Sequence, residues 1–129
     1  PAVAYNATDN EYLVVWGGDD DVGGLVDNEY EIFGQRLDAA TGAEVGSNDF
    51  RISDLGGTGD VAYAAQGTAV TYNSIDNEYL VVWRGDDNVG GLVDGETEIF
   101  GQRLTGDPTL VFRDGFASGG TTAWSATLP

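Results

Sequence analysis

Residues 5–37 read YNATDNEYLVVWGGDDDVGGLVDNEYEIFGQRL, and residues 72–104 read YNSIDNEYLVVWRGDDNVGGLVDGETEIFGQRL. The blocks align without a gap at a constant offset of 67, and the match extends back to Ala2 and Ala69. So close a duplication makes the repeat the structural unit, because such units bury apolar surface by stacking on a like neighbour.

Within the first copy, Ala2–Asn6 reads as a strand, Asp9 and Asn10 as a turn, and the β-branched and aromatic run Glu11–Trp16 as the second strand of a hairpin. Glu29–Leu37 is predicted as a third strand, and Glu44–Ser53 as a fourth, entered through the Thr41-Gly42 turn. The second copy gives Ala69–Asn73, Glu78–Trp83, Glu96–Leu104 and, least regular of all, about Thr109–Arg113. Nothing has apolar residues at helical spacing with caps, so essentially no helix is expected. Alternation places Tyr12, Val14 and Trp16 on one sheet face and Leu13 and Val15 on the other. Both faces are apolar, which predicts sheets stacked on both sides.

The order AVAYN, DNEYLVVW, EIFGQRLD and FRIS resembles the repeated blades of secreted bacterial β-propeller-like proteins. The tail VFRDGFASGGTTAWSATLP is similar to the ends of many secreted bacterial proteins. The resemblance implies an all-β fold of two tandem four-stranded antiparallel repeats, over 1–67 and 68–115, with a tail at 116–129. It also implies an extracellular or cell-surface location. Within the tail, Thr121–Thr127 is expected either to complete its own sheet or to be donated to a neighbour's edge. A closed propeller needs roughly 4 to 8 blades, and this chain has two. Two stacked units leave an uncovered face at each end, so head-to-tail association into a ring or a filament is the main functional expectation. The plainer alternative is a piece of a longer array. The opening Pro1, with neither Met nor an apolar leader, suits a processed chain or an excised piece equally.

Composition narrows the chemistry. Twenty-two acidic against five basic side chains give a net charge of −17, whose self-repulsion opposes folding unless cations offset it. The five basic residues are Arg36, Arg51, Arg84, Arg103 and Arg113, too few for a nucleic-acid surface. Cysteine, histidine, methionine and lysine are absent, which excludes disulfides, thiolate and imidazole metal sites, Ser-His-Asp and Cys-His catalysis, and Schiff-base chemistry. Lack of cysteine does not argue against secretion, since calcium can stabilise a surface protein in place of disulfides. No apolar run approaches the length of a membrane-spanning helix.

The acids concentrate in two equivalent loops. Asp19, Asp20, Asp21, Asp27, Glu29 and Glu31 in the first copy correspond to Asp86, Asp87, Asn88, Asp94, Glu96 and Glu98 in the second. Calcium takes six to eight oxygens in flexible geometry, which suits carboxylate-rich loops carrying Gly23-Gly24 and Gly90-Gly91. Asp27, Glu29 and Glu31 at i, i+2 and i+4 are expected to share a strand face, where carboxylates ~5 Å apart repel by about 0.8 kcal/mol per pair in water. A bound dication reverses that sign. The spacing is not that of an EF-hand, and a merely solvated acidic loop is the bland reading.

An enzyme is not expected. Paired carboxylates suit a glycosidase, but catalytic pairs rarely occur in two equal copies. Trp16 and Trp83 end the strongest apolar strands, where core packing is the ordinary role and sugar stacking the sharper one; Trp124 is the more exposed candidate. A carbohydrate-binding or adhesive module, meeting a glycan or cell surface, is therefore the second expectation. Arg36 and Arg103 are expected to pair with acids such as Glu31 and Glu98, or across the repeat interface. Gly34 and Gly101 mark a bulge or a close approach of a neighbouring backbone or ring.

Overall fold

A computed structural model of the chain describes residues 1–21, 23–87, 93, 95–105 and 111–112. The fold is all-β, with no helix and no closed barrel among the described residues. β1 (Ala2–Asn6), β2 (Glu11–Asp19), β3 (Tyr30–Asp38) and β4 (Glu44–Arg51) form one antiparallel meander. β5 (Gln66–Asn73), β6 (Glu78–Gly85) and β7 (Glu98–Thr105) form a second, completed by the two-residue β8 (Val111–Phe112).

Most strands fall where the sequence places them, and the differences have local causes. β2 runs on past Trp16 because Gly17, Gly18 and Asp19 continue to pair with Ile32, Glu31 and Tyr30. Glu29 and Glu96 lie outside β3 and β7, since each closes a turn through an N–H···O=C bond to Val26 and Val93 respectively. The third position of each turn needs a positive φ, met by Asn28 at 72° and Gly95 at 87°. Of the expected strand over Thr109–Arg113, Val111 and Phe112 pair with Leu104 and Arg103; the rest lies outside the described residues, as does the tail from 116. Phe112 thus opposes Arg103 as Val45 opposes Arg36, rather than taking the place of Phe50.

β3 and β4 change register between Gly34 and Arg36. A Cβ at Gly34 would lie 2.9 Å from Ile52 Cδ1 and 3.0 Å from Phe50 Cζ, so both expected roles of this glycine, bulge and close ring approach, are present.

One hydrophobic core joins the sheets. The first supplies Leu13, Val15 and Ile32, the second Tyr79, Val81, Trp83, Phe100 and Leu104, and the connecting segment Ile52, Leu55 and Ala65. Because side chains alternate along a strand, the two repeats present opposite faces to this core. The Leu13/Val15 face of the first packs against the Tyr79/Val81/Trp83 face of the second. The sheets are stacked in the same sense, front against back.

Candidate functional site

Three sets of polar residues stand out: the acidic loops, the segment that crosses between the sheets, and a cluster where the two first hairpins meet.

In the first loop the acids divide by burial. Asp27, in the turn, is exposed, while Glu29 and Glu31 are both 0% exposed. The turn breaks the alternation that would have placed all three on one strand face. Glu29 accepts from the N–H of Val26 at 3.0 Å and of Gly59 at 2.9 and 3.0 Å. Glu31 accepts from the Ser53 hydroxyl and from the Leu55 N–H at 2.9 Å. Ser53 Oγ also accepts from the Ile32 N–H at 2.7 Å. Both carboxylates therefore fasten the connecting segment to the first sheet, satisfying donors that burial would otherwise strand. Burial raises the Glu31 carboxyl above its ordinary pKa, against the lowering effect of the Ser53 and Leu55 hydrogen bonds.

The loop scaffold recurs. Asp19 accepts from Asn28 N–H at 2.9 Å and Asp86 from Gly95 N–H at 2.8 Å; Glu96 accepts from Val93 N–H at 3.4 Å as Glu29 does from Val26. Beyond this the second loop differs. Glu96 is exposed and Glu98 half-buried, and Asp86 Oδ1 and Glu98 Oε2 are buried without a hydrogen-bond partner among the described residues. Burial, then the charges of Asp86, Glu96 and Asp87, raise the Glu98 carboxyl. Asp20 and Asp87 are half-buried and Asp21 exposed; Asn88 and Asp94 lie outside the described residues. No three of these acids form a group able to hold an ion among the described residues.

The arginines find different partners from those expected. Arg36 pairs with Glu11 at 3.3 Å, and Arg103 with Glu78, on the neighbouring strand of the same sheet. Glu31 is committed to Ser53 and Leu55, whereas Glu11 and Glu78 stand diagonally across the ladder within reach of the guanidinium.

The tryptophans separate as well. Trp83 is buried and stacks on Phe100, with ring centroids 6.3 Å apart, which makes it a core residue. Trp16 stacks on Phe33 at 6.4 Å but stays half-buried, on the face of the first sheet that the second sheet does not cover. Near it Tyr5 and Tyr12 are exposed, their rings 5.3 Å apart. Trp124 lies outside the described residues.

The third cluster joins the hairpin turns. Asn6 Nδ2 donates to Asp9 Oδ2 at 2.9 Å and to Asn77 Oδ1 at 3.0 Å, and Asn77 Nδ2 donates to Asp9 Oδ2 at 3.1 Å. The Tyr72 hydroxyl lies 2.6 Å from Thr8 Oγ1 and 2.9 Å from Asn77 Oδ1. This clasp fixes how one sheet sits on the next. The sequence marks Asp9-Asn10 as a turn and repeats it as Asp76-Asn77, but the meeting of Asp9 with Asn77 across the interface is not visible there. Ser53, Leu55 and Gly59 were missed because that segment has no counterpart in the second copy.

Compared with protein families, with curated proteins and with solved structures, the chain matches none.

Proposed function

We propose that this chain is a non-catalytic, extracellular structural protein that associates head to tail with its own copies and whose acidic loops take up calcium. The observation that carries the reading is the same-sense stack. The second repeat buries its Tyr79/Val81/Trp83 face under the first, while the identical Tyr12/Val14/Trp16 face of the first has no sheet upon it among the described residues. Apolar sheet faces left uncovered mark interaction surfaces, and a heterologous contact between like subunits builds rings or open filaments.

Calcium enters through the second loop, where Asp86 Oδ1 and Glu98 Oε2 are buried without a hydrogen bond among the described residues. Hard oxygens in this condition suit a hard cation, and a cation also offsets the charge of −17 that holds copies apart. Sedimentation velocity and electron microscopy in calcium and in chelator test the reading. Concentration-dependent growth that calcium promotes is expected; a monomer under both conditions overturns it.

A second reading, a carbohydrate-binding or adhesive module, draws on the exposed Tyr5 and Tyr12 rings, since aromatic platforms suit sugar faces. Glycan-array binding that disappears in Tyr12→Ala favours it; absence of binding removes it.

A further inference from the structure

The internal junction between the two repeats specifies the junction between two molecules. We infer that the outer face of the second sheet, carrying Leu80, Val82 and Ile99, docks on the Tyr5/Tyr12/Trp16 face of the first sheet of a second copy. The inference rests on the self-association proposed above and adds to it the faces and the register.

The first argument is identity of surface. Six residues on the junction side of the second sheet, Val70, Tyr72, Tyr79, Val81, Trp83 and Phe100, have the equivalents Val3, Tyr5, Tyr12, Val14, Trp16 and Phe33, every one the same residue type. Of these equivalents Val3, Tyr5 and Tyr12 are exposed and Val14 and Trp16 half-buried, while Phe33 lies buried beneath the stacked Trp16 ring; the first sheet thus repeats, with its Val3/Tyr5/Tyr12 part open, the surface that the second buries in the core. On the other side of the junction the first sheet uses Ala2, Ala4, Leu13, Val15 and Ile32. The second sheet carries Ala69, Thr71, Leu80, Val82 and Ile99 at these places, a single change of type, at Thr71. Leu80 is 36% and Ile99 63% exposed. Apart from the connecting segment's Ile52, Leu55 and Ala65, both sheet faces of the internal packing recur, each without a second sheet upon it among the described residues.

The second argument is the clasp. At the internal junction the first repeat contributes Asn6, Thr8 and Asp9, and the second contributes Tyr72 and Asn77. The unused equivalents are Asn73, Ile75 and Asp76 at one end of the molecule and Tyr5 and Asn10 at the other. Both already hold the conformation that the clasp needs. Asn73 Nδ2 donates to Asp76 Oδ2 at 2.8 Å, as Asn6 does to Asp9, and the Tyr5 hydroxyl donates to Asn10 Oδ1 at 3.0 Å, in the geometry of Tyr72 and Asn77. Asn10 and Asn77 share a left-handed backbone, with φ of 57° and 52°. One replacement distinguishes the intermolecular clasp: Ile75, 90% exposed, stands where Thr8 meets the Tyr72 hydroxyl. At the copy-to-copy junction an apolar contact with the Tyr5 ring takes the place of that hydrogen bond.

Because the faces differ, the contact is heterologous, and each molecule keeps one free face after docking. This gives a test by complementation, run by sedimentation velocity on the whole chain at an ionic strength of about 0.15 M, where the Debye length is about 8 Å. Ile99→Arg blocks one face and Tyr5→Arg the other; both positions are exposed, and circular dichroism with thermal melting verifies that each variant folds. The wild type is expected to form oligomers that grow with concentration, each variant alone to associate about 30-fold or more weaker, and an equimolar mixture to form dimers and nothing larger. Variants that assemble like the wild type, or a mixture that stays monomeric while the wild type assembles, overturn this interface and leave self-association standing. A wild type that stays monomeric overturns both, and a large drop in melting temperature for Ile99→Arg would then assign that face to a segment of the same chain.

Discussion

The Tyr79 side chain is buried to 1% exposure, whereas Tyr12, its equivalent in the first repeat, keeps 40%. Identical residues in near-identical strands thus experience core and surface, and the difference comes only from what lies on the sheet face.

That asymmetry sets the first prediction. Tyr79→Ala opens a cavity in the shared core and costs about 3–5 kcal/mol, the range for large aromatic truncations, while Tyr12→Ala, which loses chiefly its ring contact with Tyr5, costs about 0.5–1.5 kcal/mol in the monomer. Urea unfolding at low protein concentration checks both. The Tyr79 hydroxyl, pushed up to about 12 chiefly by burial, ionises only in strong alkali. With a folded pKa above the ordinary 10.0, this group makes stability fall as pH rises from 10.0 to about 12.

Glu31 gives the second prediction. Its carboxylate holds the Ser53 hydroxyl and the Leu55 N–H in a dry site. Glu31→Ala strands those donors and costs about 1–3 kcal/mol. Glu31→Gln retains an acceptor for Leu55 and removes the charge. Since burial raises the folded pKa above the ordinary 4.5, the folded state holds this proton more tightly than the unfolded state does. Its contribution is therefore greatest below pH 4.5 and declines as pH rises through the folded value. Melting temperatures from pH 4 to 8 should fall less steeply for Glu31→Gln than for the wild type; equal slopes would show that Glu31 does not titrate in this window.

How much of this was legible beforehand depends on whether an interaction repeats. The offset between Tyr5 and Tyr72 announced the two meanders, and alternation along Tyr12–Trp16 announced two apolar faces per sheet; the expected covering of both is not met among the described residues, where each sheet has one face packed on the other and Tyr12, Leu80 and Ile99 stay exposed. Alternation cannot say which face of which copy meets the other, because the residues are the same; only the stack distinguishes Tyr79 from Tyr12. The acids of the first loop were legible as a cluster, but not as buried caps, because their partners Ser53, Leu55 and Gly59 lie in a segment without a repeat. The arginines were assigned to the wrong acids because Glu31 and Arg36, like Glu98 and Arg103, stand five residues apart on one regular strand and so point to opposite sheet faces, whereas Glu11 and Glu78 lie across the ladder on the arginine's own face.

Leu55 supplies the third prediction. It is buried between the sheets, and a Cβ added at Gly85 would run into its Cδ1, so the glycine makes room for the leucine. Leu55→Ala empties that space and costs about 2–5 kcal/mol. Gly85→Val overfills it, at about 1–3 kcal/mol. Because both act on one cavity, the double variant is expected to be less destabilised than the sum of the two, measured by chemical denaturation.

The fourth prediction separates ion binding from screening. If the second loop takes a cation, calcium raises the melting temperature beyond what sodium chloride does at equal ionic strength, and Glu98→Gln removes most of that excess. If calcium and sodium act alike, the loops serve only by diffuse screening of the acidic surface. Glu31→Gln provides the contrast: its oxygens are already engaged by Ser53 and Leu55, so the calcium increment should survive that change.

The clasp between hairpins makes the last prediction. Asp9 accepts from both Asn6 and Asn77, and Asn77 is held in turn by Tyr72, so these side chains act as a unit across the repeat junction. Asp9→Ala and Asn77→Ala are therefore expected to be non-additive, with a coupling of about 0.5–3 kcal/mol in a double-mutant cycle. Asp76 and Asn10, the equivalents that no second repeat engages within the molecule, should show a coupling near zero in dilute solution. At concentrations where copies associate, the same pair should couple as Asp9 and Asn77 do, because stacking one molecule on the next rebuilds the junction between them. Coupling for Asp9 and Asn77 that stays below about 0.3 kcal/mol would mean that the sheets are positioned by apolar packing alone and that the clasp merely occupies its rim.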